Sequence, residues 1–176
     1  MAGGDCLVQL YSKHSLQHGG SIRDAAARLA LQLSHQLAKR HGYKQRVYSC
    51  DNNAYCSKPP TLGHACFVDN CSYIFYVDSD VLIHDTSIDI IADVRSNYPD
   101  AAVTLGLDYR STMLNPKWKD GQDRWYRTDS NAGMSVINCQ NHHARRIIES
   151  WTHLCRRFSP KHSDQAANIT DIPGHI

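Results

Sequence analysis

Two patterns of apolar positions divide the chain: short continuous runs, and longer stretches with an apolar residue every third or fourth place. Cys6 to Tyr11 is such a run and predicts a buried first strand. A polar loop through His18, Gly19 and Gly20 leads to Ser21, whose spacing to Asp24 resembles a capping box. Ile22, Ala26, Leu29, Leu33 and Leu37 then recur at helical spacing and predict a buried helix face, which Gly42 ends. Gln45 to Ser49 predicts a second strand, followed by a loop at Asp51, Asn52 and Asn53. Pro59 and Pro60 predict the opening of a helix running from near Thr61 to about Asn70. Tyr73 to Val77 is wholly apolar or aromatic and predicts a strand buried on both faces, and Val81 to Ile83 resumes the run. Ser87 to Tyr98 predicts a helix stopped by Pro99, and Ala101 to Leu107 another strand. Asn115 to Ser130 has no periodicity and predicts a long functional loop or irregular hairpin. Gly133 to Asn138 predicts a strand. His142 to Phe158 predicts an amphipathic helix with Ala144, Ile147, Ile148, Trp151, Leu154 and Phe158 inward. Beyond Ser159 the expectation is loop, with a short helix around Asp164 to Asn168.

Strands alternating with helices predict an α/β protein with a largely parallel sheet. In such sheets ligands bind beyond the carboxyl ends of the strands. That rule directs attention to Tyr11 and Ser12, Asp51 and Asn52, Asp78 to Asp80, and Asp108.

Composition narrows the function classes. A chain of 176 residues is the length of one domain. The net charge of +2 implies no polyanion, so no nucleic-acid partner is expected. No apolar run reaches the ~18 residues a membrane span needs. The first six residues lack a signal peptide's basic and apolar parts. Taken literally this is a cytoplasmic chain; a Golgi-lumenal catalytic domain is the alternative if an anchor has been removed. Seven cysteines cannot all pair, and none forms a Cys-x-x-Cys. Reduced cysteines packing as small hydrophobes is the favoured reading. Cys50, Cys56, Cys66 and Cys71 are the set close enough in sequence to pair in an oxidising compartment.

Three motifs carry chemistry. Asp78 and Asp80 leave a hydrophobic strand together, and two anions this close are costly unless a cation neutralises them. Hard oxygen ligands suit Mg²⁺ or Mn²⁺, which also take diphosphate oxygens. Asp129, Asn131, Ala132 and Gly133 place small residues and hydrogen-bonding groups at a strand entrance, where a sugar can approach closely. Asp164 and Gln165 offer a carboxylate and an amide after the last helix. Each motif alone is also a turn or a helix cap.

In this order, the three motifs resemble those of the retaining GT-A glycosyltransferases. The likeness is especially to the galactosyl-, mannosyl- and xylosyltransferase family of fungal Golgi and plant cell-wall synthesis, and also to small viral glycosyltransferases of the same fold. Ala38 to Tyr43 resembles that family's helix end, Lys58 to Pro60 the element before its second helix, and Tyr76 to Ile83 its metal-binding strand. The similarity runs from about Leu7 to Asn168.

The resemblance implies a GT-A (nucleotide-diphospho-sugar transferase) fold: a Rossmann-like, mostly parallel sheet flanked by helices. It would form a single domain over residues 1–176, with C-terminal truncation left open. It implies a hexosyl- or pentosyltransferase using a UDP-linked donor, a glycan or glycoconjugate acceptor, and Mn²⁺ or Mg²⁺, with retention of configuration. Tyr11, Ser12, Asp51 and Asp78 would serve the nucleotide, with Asp78 contacting ribose or metal-bound water. Asp80 would ligate the metal directly, Asp129 and Asn131 would hold donor sugar hydroxyls, and Asp164 and Gln165 would sit beside the anomeric carbon. The family's third metal ligand is a histidine in a His-x-x-Gly-like motif. Here Gly174 precedes His175, so either His175 serves or the ligand is lost. Two alternatives stand beside this reading. One is a nucleotide-sugar-binding domain that has lost catalysis. The other is an aspartate-nucleophile phosphatase, which wants its motif on the first strand, where this chain has it on the third.

Overall fold

The computed structural model describes residues 3–12, 22–50, 54–107, 130–158 and 170–171. Their elements follow in chain order: β1 (Cys6–Ser12), α1 (Ile22–His41), β2 (Lys44–Cys50), α2 (Ala54–Phe67), β3 (Tyr73–Asp78), α3 (Ile90–Asn97), β4 (Val103–Leu107), β5 (Ser130–Asn138), α4 (His142–Phe158) and β6 (Thr170–Asp171). The strands form one sheet in the order β4-β5-β3-β1-β2-β6.

Alternation along each strand sends side chains to opposite faces, and each face has its own core. Val8, Leu10, Tyr48, Ile74, Tyr76 and Ile137 face α2 and α4, where Leu62, Ala65, Ala144 and Ile148 meet them. Leu7, Phe75, Val77 and Val136 face the other way, against Leu37 and Ala38 of α1 and Ile91 and Val94 of α3. The α/β class is therefore as the strand–helix alternation predicts.

The sheet is less parallel than expected. β1 pairs in parallel with both β2 and β3, but β5 is antiparallel to β3 and β4, and β6 is antiparallel to β2. The physical reason is local. A parallel neighbour needs a crossover, normally a helix, and no helical periodicity separates β4 from β5. β5 therefore enters the sheet from the opposite end and inserts between β3 and β4. β4 still runs in the direction of β3, as a strand–helix–strand unit requires.

Several element boundaries also differ. α2 starts at Ala54 and carries Pro59 and Pro60 inside it rather than at its opening. The prolines cannot donate to the carbonyls one turn back. Just after them the Thr61 hydroxyl donates to the carbonyl of Ser57, four residues back, at 2.7 Å. Val81 to Ile83 is not a strand; Val81 and Ile83 pack as loop residues against the α1-side core. α3 begins at Ile90, because the Asp89 carboxylate caps it by accepting from the Ala92 amide. α1 buries Ala27, Ala30, Ser34, Leu37 and Ala38, with Leu29 exposed, a face turned one position from that expected. Small residues let this helix approach the sheet, where leucines would hold it off. Gly42 ends it as expected, at φ +73°. In α4, Ala144 and Ile148 are buried as expected, but Ile147 and Leu154 are exposed.

The disulfides are Cys6–Cys71 and Cys66–Cys139, with Cα atoms 5.8 and 5.3 Å apart. Sequence proximity is thus a poor guide to pairing. Cys66 and Cys71 each join a distant partner that the topology brings near, and Cys50 and Cys56 join neither bond. Among the described residues, no helix is long and apolar enough to cross a membrane.

Candidate functional site

The strands β1, β2, β3 and β4 share one direction, so their carboxyl ends form a common edge. β3 delivers Asp78 to that edge. Tyr76 and Asp78 are two apart on the strand and so share the face toward α2. Lys58, the fifth residue of α2, meets both. Its ammonium lies 2.9 Å from one Asp78 carboxylate oxygen and 3.2 Å from the other. The Tyr76 hydroxyl donates to the first of these oxygens at 2.7 Å, and the Lys58 ammonium stands 4.8 Å from the centre of the Tyr76 ring. Burial, then the Asp78 charge and this hydrogen bond, push the Tyr76 phenol well above its ordinary range, so it stays a neutral donor.

Lys58 is 3% exposed, and a lysine so buried is normally found paired. The cation that a carboxylate at this strand end calls for is thus partly supplied by the chain itself. Neither Lys58 nor Tyr76 was singled out for a site role by the sequence reading. The available signal was a lysine standing among the small and apolar residues of a buried helix.

Asp78 and Asp80 differ in setting. Asp78 is partly buried, and its carbonyl accepts from the Val81 amide at 3.1 Å to close the turn. Asp80 is exposed. A carboxylate has about four lone-pair directions. Three contacts from Lys58 and Tyr76 already occupy Asp78. Of the two carboxylates, Asp80 is thus the open one, and Asp78 is a fixed acceptor beside it. Among the described residues, no group of three or more His, Cys, Asp or Glu side chains is gathered to hold a metal ion.

The other sequence-predicted residues are distributed as follows. Tyr11 and Ser12 end β1 at the same edge, where Leu10 is level with Asp78. The Tyr11 ring is buried and its hydroxyl donates to the Ala27 carbonyl at 3.4 Å, so Tyr11 presents main chain rather than its phenol to the edge. Burial raises its phenol above the ordinary range. Asn131, Ala132 and Gly133 begin β5 at this edge. Val77 and Met134 form the last pair between β3 and β5, and the register of β5 against β4 shifts between Leu105–Ser135 and Gly106–Asn131. Gly133 is buried. Asp51, Asp129, Asp164, Gln165 and His175 lie outside the described residues. The fold thus brings together Asp78, Asp80 and the backbones of Tyr11, Ser12 and Asn131 to Gly133.

No family model matches the chain, and no curated protein sequence matches it. Among solved structures, the fold is similar to that of a glycosyltransferase involved in the glycosylation of the major capsid of PBCV-1. That likeness has a TM-score of 0.52 and 15% identity, and covers 88% of this chain and 68% of that one. Mouse xyloside xylosyltransferase 1 in its apo form aligns at a TM-score of 0.46, with 17% identity over 93% of this chain and 76% of that one. A197 from STIV aligns at 0.45, with 14% identity over 82% of this chain and 67% of that one. The first of these likenesses places the chain in a glycosyltransferase-like α/β fold.

Proposed function

We propose that the chain is a metal-dependent glycosyltransferase of the GT-A type, moving a sugar from a UDP-linked donor to a glycan hydroxyl with retention. The observation that carries this reading is the division between Asp78, fixed at the end of β3 by Lys58 and Tyr76, and Asp80, exposed two residues on. Asp80 would hold Mn²⁺ or Mg²⁺. The bound ion's contribution is to neutralise charge on the departing nucleoside diphosphate. Lys58 and Tyr76 hold the Asp78 carboxylate in place at the edge, where it can accept from a ribose hydroxyl. The backbones of Tyr11 and Ser12 border the nucleotide. Asp129, Asn131, Ala132 and Gly133 are assigned to the donor sugar by the motif resemblance. Asp164 and Gln165 are assigned to the anomeric carbon, and His175 to a third metal position, by the motif resemblance. The two disulfides support work in an oxidising compartment rather than the cytosol.

Calorimetric titration of UDP with and without Mn²⁺, on the parent and on Asp80→Asn, tests the reading. Metal-dependent binding that the substitution abolishes supports it. Silence towards both UDP and GDP, with and without metal, sinks it. One observation favours a second reading, a nucleotide-sugar-binding domain without turnover: Lys58 already neutralises Asp78, which lessens the demand for a metal. Slow hydrolysis of the donor to free sugar distinguishes the two, since only a working transferase gives it.

A further inference from the structure

The cysteines divide according to the edge of the sheet they occupy. Cys6, Cys66, Cys71 and Cys139 lie at the amino edge of β3 and are joined in two disulfides. Cys50 ends β2 at the other edge, Cys56 is in the first turn of α2, and Cys155 is in the last turn of α4. α2 and α4 pack against each other. They run antiparallel, because Cys66 near the end of α2 is bonded to Cys139 just before the start of α4. The same packing returns the start of α2 to the end of α4. There the Cys56 and Cys155 thiols are hydrogen-bonded to each other. Cys56 is buried and Cys155 is half-buried, so a small reagent reaches the pair from the Cys155 side. Burial, with the Cys56 contact adding to it, pushes the Cys155 thiol up to about 12. Its oxidation is therefore slow at neutral pH and faster as pH rises.

We propose that Cys56 and Cys155 form an oxidisable dithiol whose disulfide staples α2 to α4 at the carboxyl edge. The oxidant is a small-molecule disulfide of the glutathione class. One protein thiolate attacks its S–S bond, giving a mixed disulfide and one released thiol. The second protein thiolate displaces the other half. One S–S bond forms in the protein, and the oxidant leaves as two thiols carrying the two protons and two electrons. Cys56 lies two residues before Lys58 on α2, so the staple fixes the turn from which Lys58 grips Asp78. That consequence rests on the site reading above; the bond itself does not.

The test equilibrates the purified chain across a series of reduced and oxidised glutathione, alkylates remaining thiols and maps peptides by mass spectrometry without reduction. The expected product is a Cys56–Cys155 linked peptide lighter by two hydrogens than its parts, with Cys50 alkylated and the other two disulfides intact. Cys155→Ser should lose the link and keep those two disulfides. Alkylation of both Cys56 and Cys155 at the most oxidising point, with the other bonds intact, would overturn the proposal. A Cys50–Cys56 link would do the same. UDP affinity read on the oxidised and reduced forms separates the two claims. Equal affinity removes the effect on the site and keeps the bond, whereas absence of UDP binding in both forms counts against the site alone.

Discussion

At the amino edge of the sheet, Cys6–Cys71 ties the start of β1 to the approach to β3, and Cys66–Cys139 ties the end of α2 to the end of β5. Arg95 donates to both Asp5 carboxylate oxygens at 2.7 Å and lies over the Tyr73 ring. Asp89 caps α3 while accepting from the Tyr43 hydroxyl. At the carboxyl edge the side-chain order is of another kind. One buried ammonium holds one carboxylate, and a second carboxylate is left to solvent. The sheet is covalent and capped at one edge and polar and partly open at the other; on the proposed function, this separates what keeps it folded from what meets a ligand. Ligand-binding segments are commonly drawn from the less stable parts of a structure. Substitutions at the two edges should therefore report differently: on stability at the amino edge, and increasingly on binding at the carboxyl edge.

The largest stability effect is expected at the amino edge. Replacing Cys66 and Cys139 together by alanine should cost about 3 kcal/mol, since the bond closes a long loop in the unfolded chain. Chemical denaturation under non-reducing conditions measures it. A loss below about 1 kcal/mol would mean that the amino edge is not the anchored one.

Next is the ion pair at the site. Asp78→Asn withdraws the carboxylate charge from an ammonium whose side chain is 4% exposed, and about 2 kcal/mol of destabilisation is expected. Lys58→Met should cost less, about 1 kcal/mol, because the Asp78 side chain is 31% exposed and can recruit water. The double variant should cost less than the two losses added together. Strict additivity in a double-mutant cycle would mean that the two groups do not couple.

Smaller than the Asp78 effect, and level with that of Lys58, is the cap of α3. Asp89→Ala should cost about 1 kcal/mol at neutral pH. Burial alone would raise the Asp89 carboxyl, but hydrogen bonds from the Tyr43 hydroxyl and the Ala92 amide outweigh it and hold the group below its ordinary value. A carboxyl depressed in the folded state contributes stability that is complete above its unfolded value of about 4 and is lost as pH falls through the folded value. The gap between parent and variant should therefore shrink in acid. A gap that stays constant from neutral pH into strong acid would rule out the ionised cap.

How much of this was legible in the sequence follows from how local each signal is. β3 and its terminal Asp78 were legible because an apolar strand ending in acids needs only adjacent residues to be seen. α4 has its expected bounds for the same reason, as an uninterrupted helical period. The direction of β5 was legible only through the missing helical period between β4 and β5, a weaker signal than an apolar run. The Cys66–Cys139 bond was not legible, since its partners are 73 residues apart and meet only once the sheet has formed. Lys58 was hidden for a related reason. A lysine in sequence looks solvent-facing, and only the face shared by Tyr76, Asp78 and α2 makes it a buried partner.

Asp80→Asn is the smallest expected perturbation of the fold and the sharpest test of the contrast between edges. Asp80 is exposed, so the substitution should change stability by no more than about 0.5 kcal/mol. The same change removes the open carboxylate at a site where Asp78 is already engaged by Lys58 and Tyr76. Metal-dependent UDP binding should then fall by at least about tenfold, which corresponds to about 1.4 kcal/mol. The two readouts have to separate, with an unchanged denaturation midpoint and lost Mn²⁺-dependent heat of binding. If Asp80→Asn destabilised the fold as much as Asp78→Asn, the two carboxylates would share one structural role. If it left metal-dependent binding intact, the cation would be held elsewhere and the division between a fixed and an open carboxylate would lose its functional meaning.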